Sequence, residues 1–327
     1  MRFILWLSVV LGVLWGGYWF VGSTAIKSGV SQWFANSADQ GMTASNEGIS
    51  FSGFPSRFDL TLTKPILTDP ISGWTWKAPF AQILSMTWKP WHVIAILPQD
   101  QEIDGPGQRI AVKSSKMAAS LRLQPSSDLT LEELVIEARD LVTHSDVGWQ
   151  IGAKSAVLAL ARDENQPLGL HLGLEIAELR PDPELAHLLP DLGGVISIVH
   201  LDALVTLSAA LDLHAVETSP VVTSLIVTDF QLNWGSLKLS ATGRVDPGSD
   251  GAVHGQIDFR IHGWQQIPAL LVALGLVRPE MGDSLTRGLE VLAKSGDDPT
   301  VLNLPLTFDE GWMTLGPVPL GPAPMLN

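Results

Sequence analysis

The chain has 327 residues, 46% of them hydrophobic and only 17% charged, with a net charge of −14 from 20 basic and 34 acidic side chains. The apolar fraction excludes a disordered chain. The acidic balance, with no run of Lys or Arg, excludes nucleic-acid binding and polybasic docking on anionic lipid. With no cysteines, disulfide staples, thiol nucleophiles and Cys-ligated zinc are also excluded.

The first element is an apolar helix. No charge falls between Arg2 and Lys27, and the most apolar part runs over residues 3–21. A helix rises about 1.5 Å per residue, so roughly 20 residues cross a hydrocarbon core of about 30 Å. Trp15, Tyr18, Trp19 and Phe20 stand towards the far end, where an aromatic belt meets the headgroups. Residues 1–26 therefore read as an uncleaved transmembrane anchor. Arg2 on the short side keeps the N-terminus in the cytoplasm and sends the bulk of the chain to the periplasm. Ser23 and Ala25 leave a cleaved signal peptide open as the alternative, although its apolar region usually spans only about 7 to 15 residues. No face is polar, which argues against a buried core helix.

Residues 27–40 read as a stalk helix, with Ile26, Val30, Trp33 and Phe34 on one face. Residues 41–327 then take on β character. Ile49, Phe51, Phe58, Leu60 and Leu62 alternate with polar residues. Gly53, Phe54 and Pro55 interrupt that run and predict a bulge or an edge. Alternation recurs at 134–141, 149–161, 168–176, 195–213, 221–232, 237–245 and 253–261. Asp246, Pro247, Gly248, Asp250 and Gly251 make a turn between the last two.

Helices are expected near 183–192 and 265–295. In the second stretch Ile267, Leu270, Leu271, Leu274 and Val277 keep helical spacing until Pro279. A further helix starts at Asp283 or Ser284 as its cap, carries Leu285, Leu289 and Leu292, and stops at Gly296. Leu302 to Leu315 reads as a closing hairpin, followed by a Pro-rich tail. The fold class expected is mainly β (α+β): a transmembrane helix, then one large curved antiparallel sheet domain with a C-terminal helix pair and closing hairpin.

Chemistry-bearing residues are sparse. Trp74, Trp76, Trp88 and Trp91 cluster in the sequence, and a Trp face stacks on sugars, sits at a membrane interface or fills a core. Alternation puts Trp74 and Trp76 on one strand face. With Leu270, Leu271 and Leu274 they are the candidate contacts for an apolar ligand or partner. His200 with Asp202, and His254 with His262, fall short of the three or four ligands a zinc ion needs. Asp246, Asp250, Asp297 and Asp298 lie in turns with no closing Glu of a calcium loop. Ser197 and Ser208 sit in no nucleophile elbow. No catalytic residue, cofactor or metal is expected, and the chain reads as a non-enzyme.

Four features in this order resemble the bacterial family called domain of unknown function 2125. They are the apolar N-terminal helix, the run Gly53-Phe54-Pro55-Ser56-Arg57-Phe58, the segment Trp88-Lys89-Pro90-Trp91 ending near Leu97-Pro98, and the tail. The tail reads Leu304-Pro305-Leu306, then Gly311, then Leu315-Gly316-Pro317-Val318-Pro319-Leu320. Ser56 stands where such families usually show Phe. The resemblance implies an anchored envelope protein and brings no catalytic residues. The helix-plus-strands plan is also similar to AsmA-type envelope proteins, whose curved sheets are associated with lipid handling.

Three roles follow as expectations. The first is an envelope protein holding or transferring lipid on a concave apolar sheet face. The second is a scaffolding partner of other envelope proteins, with no ligand. The third is an envelope hydrolase, for which no converging carboxylates or Ser/His pair speak.

Overall fold

The computed structural model describes residues 2–248, 251–296 and 298–325, so the predicted turn residues Asp250 and Asp297 lie outside it. The chain divides into two compact units: residues 1–125 with 136–148, and residues 126–135 with 149–327.

The first unit begins with helix α1 (Arg2–Asn36), unbroken through the predicted anchor and stalk. A short 3₁₀ turn follows and reverses at Gly41, whose φ is 71°. The strands are β1 (Thr43–Ser45), β2 (Gly48–Ser52), β3 (Arg57–Thr63), β4 (Ile66–Thr68), β5 (Thr75–Lys77), β6 (Phe80–Met86), β7 (Lys89–Leu97), β8 (Asp100–Gly105), β9 (Gln108–Lys113) and β10 (Lys116–Leu123). Strand β11 (Leu131–Ser145) contributes residues to both units. The ladders include two antiparallel series, β2–β3–β6–β7–β10 and β1–β4–β5–β8–β9–β11. The period of two puts Phe51, Leu60, Ile83 and Ala95 in one row across the first series. Leu60, Leu62 and Ala81 form its buried core, against Val30 and Phe34 of α1 and Trp76 of β5.

The segment around Gly53 corrects the sequence expectation of a bulge or edge. It is a turn joining β2 to β3: the amides of Ser56 and Arg57 both donate to the Gly53 carbonyl, at 3.1 and 2.8 Å. Gly53 takes φ 97°, and a Cβ there would lie 2.7 Å from the Arg57 carbonyl oxygen, so only glycine fits the reversal.

In the second unit come β12 (Gln150–Arg162), β13 (Gly169–Leu179), helix α2 (Pro183–Leu188), β14 (Ile196–Leu207), α3 (Ala215–Thr218), β15 (Val222–Trp234), β16 (Leu237–Pro247) and β17 (Val253–His262). Helices α4 (Ile267–Ala273) and α5 (Gly282–Ser295) precede β18 (Val301–Asp309), β19 (Trp312–Leu315) and β20 (Val318–Pro322). From β12 onward each strand pairs antiparallel with the next in sequence, in an open sheet. The fold is mainly antiparallel β with the expected apolar N-terminal helix and C-terminal helices.

Three local outcomes differ from the sequence pattern. The apolar alternation predicted to 213 stops as strand at Leu207, because the chain then turns to other partners. The amide of Leu131 bonds the Leu211 carbonyl, and that of Leu213 bonds Asp128. The Pro-rich tail forms β20, with Pro319 and Pro322 on a strand paired on β19. Proline is tolerated at a strand edge because its missing N–H is not needed there. Helix α5 starts at Gly282 with no side-chain cap from Asp283 or Ser284.

The core of the second unit gathers at one end of the sheet. Trp234, Leu237, Ile261 and Leu302 come from strands, and Ile267, Leu289 and Ala293 from α4 and α5. At the opposite end of β12 the turn is fixed by Asp163. Its carboxylate accepts from the amides of Asn165 and Gln166, both at 2.7 Å, and from His171 Nε2 at 2.6 Å. The Asn165 amide first, with Gln166 and His171, holds the carboxyl below its ordinary value against the cost of burial. A lowered folded pKa means the stabilisation is complete above the unfolded carboxyl range and is lost as pH falls through the folded value. Asp163→Asn is therefore expected to melt below the parent protein at neutral pH. The gap should close as thermal melts are taken below the ordinary carboxyl range.

Candidate functional surfaces

Helix α1 is the one helix among the described residues long and apolar enough to cross a membrane. Its first part stands free: Phe3, Ile4, Leu5, Trp6, Leu11 and Leu14 are all exposed. From Trp15 onward it packs on the first unit. Trp15 Nε1 donates to the Pro55 carbonyl at 3.0 Å, Tyr18 Oη to Thr87 at 2.9 Å and Trp19 Nε1 to Arg57 at 2.7 Å. These polar tips, which the sequence pattern assigns to headgroups, thus find partners in the protein's own backbone.

The packing follows from periodicity on both sides. Positions 15, 18, 19 and 22 lie on one helix face, while Phe51, Phe58, Leu60 and Leu62 share one face of the β2–β3 pair. Trp19, only 7% exposed, meets Phe51 and Phe54 edge-on and stacks with Phe58. Gly22 leaves room for the Phe58 ring, since a Cβ there would lie 2.8 Å from it. The Gly53–Phe58 run, read in the sequence as a break in the strand pattern and as part of a family resemblance, is the seat of the helix.

In the second unit, the apolar sheet face continues beyond its helix-covered end. Register puts Leu158, Leu174, Leu201 and Phe230 in one row and Leu160, Leu172, Ala203 and Val227 in the next. Neither row belongs to the core that the helices cover. Most of these side chains are half-buried; Ala203 and Val227 are buried. An open cleft of about 570 Å³ lies between α2, α4 and α5, lined by Leu188, Pro268, Val272, Ala273, Asp283 and Thr286. A smaller hollow of about 460 Å³ on β16–β18 includes Ser240, Thr242, Asp258, Arg260 and Asn303.

The predicted contacts are dispersed. Trp74 precedes β5 and lies over Gly105, where a Cβ would collide with its ring, while Trp76 lies on β5 opposite Ile103. Trp76 points inward and donates to Gln101 Oε1 at 2.9 Å; Gln101 in turn donates to the Pro98 carbonyl at 3.2 Å. Trp88 is exposed in the turn between β6 and β7, and Trp91 is half-buried on β7. Leu270 and Leu271 pack against the helix-covered core, whereas Leu274 is exposed at the end of α4.

The polar candidates do not converge either. His200 Nε2 lies 3.2 Å from Asp202 and 3.9 Å from Asp229 on the solvated sheet face. His254 and His262 sit at opposite ends of β17. Asp298 bonds Thr300 within its own turn. Among the described residues no three His, Asp or Glu side chains group as metal ligands.

No curated protein matches this chain. No solved structure matches it either. A family model does match, over residues 19–324, from the helix residue that seats on the Phe cluster to just past the last strand. The chain belongs to that family, described as an uncharacterized protein conserved in bacteria (DUF2125).

Proposed function

We propose that this is a non-enzymatic envelope protein, held in the bacterial inner membrane by α1 with its bulk in the periplasm, and that its second unit holds an acyl chain on the apolar sheet face. The observation that carries the reading is the pair of apolar rows on β12–β15 that lie outside the helix-covered core. Side chains such as Leu174 and Leu201 offer a ridged apolar strip with no polar group along it, which suits a hydrocarbon and gives no purchase to a polar substrate. Retention of α1 is supported by its packing. Cleavage after Ala25 would strip Trp19 from Phe51, Phe54 and Phe58 and expose that cluster to water.

A photoactivatable phospholipid tests this in vesicles of phosphatidylethanolamine and phosphatidylglycerol carrying the full-length protein. Crosslinked peptides from β13 and β14 are expected, and Leu201→Glu should remove them while circular dichroism stays unchanged. Adducts confined to α1 would refute the ligand-holding role.

A further inference from the structure

The free part of α1 is too short to cross a bilayer. Between Arg2, whose charge belongs outside the hydrocarbon, and Trp15, which bonds the domain, lie 12 uncharged residues, and at about 1.5 Å each they span only about 18 Å of a core of about 30 Å. Tilting lowers the vertical reach and enlarges the shortfall. Residues 15–21 must therefore also lie at membrane depth, and whatever is bonded to them is drawn down with them.

Those partners are two adjoining turns. The 53–56 turn meets Trp15 through Pro55, while Phe54 lies against Trp19 and Phe20. The 87–88 turn meets Tyr18 through Thr87, and Thr87 bonds Ser56 through both its amide and its hydroxyl at 3.1 Å. At this tip Phe54, Met86 and Trp88 are all exposed, 56%, 43% and 53% respectively. Gly53–Arg57 and Met86–Trp91 contain no carboxylate in a chain of net charge −14, yet they contribute Arg57 and Lys89. Apolar and aromatic side chains beside Lys89, and beside Arg57, which pairs with Asp59 at 3.0 Å, match the boundary between headgroups and acyl chains.

We propose that this tip is embedded in the outer headgroup layer of the same membrane that α1 crosses, so that the first unit rides on the lipid surface instead of standing clear of it on a stalk. Its occupant is phospholipid, met by Phe54, Met86 and Trp88 as apolar wedges and by Lys89 through phosphate. The proposal rests on α1 being a retained anchor, and the experiment separates the two.

The chain has no cysteine, so single thiols can be placed and labelled with an environment-sensitive dye. Full-length Met86→Cys, Trp88→Cys, Leu11→Cys and Val216→Cys are reconstituted in vesicles of phosphatidylethanolamine and phosphatidylglycerol containing doxyl-labelled lipid. Dyes at 86 and 88 are expected to be quenched by shallow doxyl groups, that at 11 by deep ones, and that at 216 by neither. Quenching at 11 without quenching at 86 and 88 overturns the docked tip and leaves the anchor standing. Absence of quenching at 11 removes the anchor, and the proposal with it.

Discussion

Trp19→Ala is expected to destabilise the first unit by about 3–5 kcal/mol, the range for deleting a large buried aromatic side chain. It should also release the lower half of α1 from β2 and β3. Trp19 is nearly enclosed, its ring touches Phe51, Phe54 and Phe58, and its Nε1–H satisfies the Arg57 carbonyl at 2.7 Å. Alanine leaves both a cavity and an orphaned acceptor. Trp19→Phe retains most of the ring and loses chiefly the hydrogen bond, for about 1 kcal/mol. Limited proteolysis of the vesicle-embedded protein reads the effect, through faster cleavage within residues 41–60 in the alanine variant. Unchanged cleavage and melting in Trp19→Ala would show that the helix gains nothing from its seat.

Trp234→Ala should cost the second unit a similar amount, about 3–5 kcal/mol. This side chain is 3% exposed, packs with Leu237 and Ile196 at the helix-covered end, and donates from Nε1 to the Gly193 carbonyl at 2.7 Å. Leu201→Ala in the uncovered row is the informative contrast. A half-buried side chain outside that core removes less area from water, so its loss should cost about 1 kcal/mol. Urea unfolding followed by near-ultraviolet circular dichroism measures both. Equal costs for the two variants would mean that the row around Leu201 is filled core and not a strip available to a ligand.

The long strands were legible because one physical condition holds along all of them. Along β13 to β17 one sheet face is apolar and the other mostly polar, so Leu170 and Leu172 flank His171, and Leu237, Leu239 and Ala241 alternate with Lys238 and Ser240. Strands β4 and β6 to β10 escaped notice because some are short, as Ile66–Thr68 is, and others such as Gln108–Lys113 set charges among their apolar residues. The seat of α1 escaped for the opposite reason. A helix apolar on every side does not announce which face meets protein, and only the recurrence of Trp15, Tyr18, Trp19 and Gly22 at three- and four-residue steps marks it. The tryptophan cluster showed how much area awaited burial but not the partner: Trp76 met Gln101 inside the unit, and Trp88 stayed outside.

The order of strand pairing sets how the two units come together in time. From β12 to β20 every partner is the next strand in the chain, so the second unit can zip forward in order, with its helices carried in the three longer links, β13–β14, β14–β15 and β17–β18. In the first unit β1 waits for β4, β3 for β6, β5 for β8, β7 for β10, and β9 for β11. The half of the chain that is made first is thus the half whose hairpins, such as β2–β3 and β6–β7, wait for later strands to complete their sheet, and α1 lying on β2 and β3 covers the first of them meanwhile.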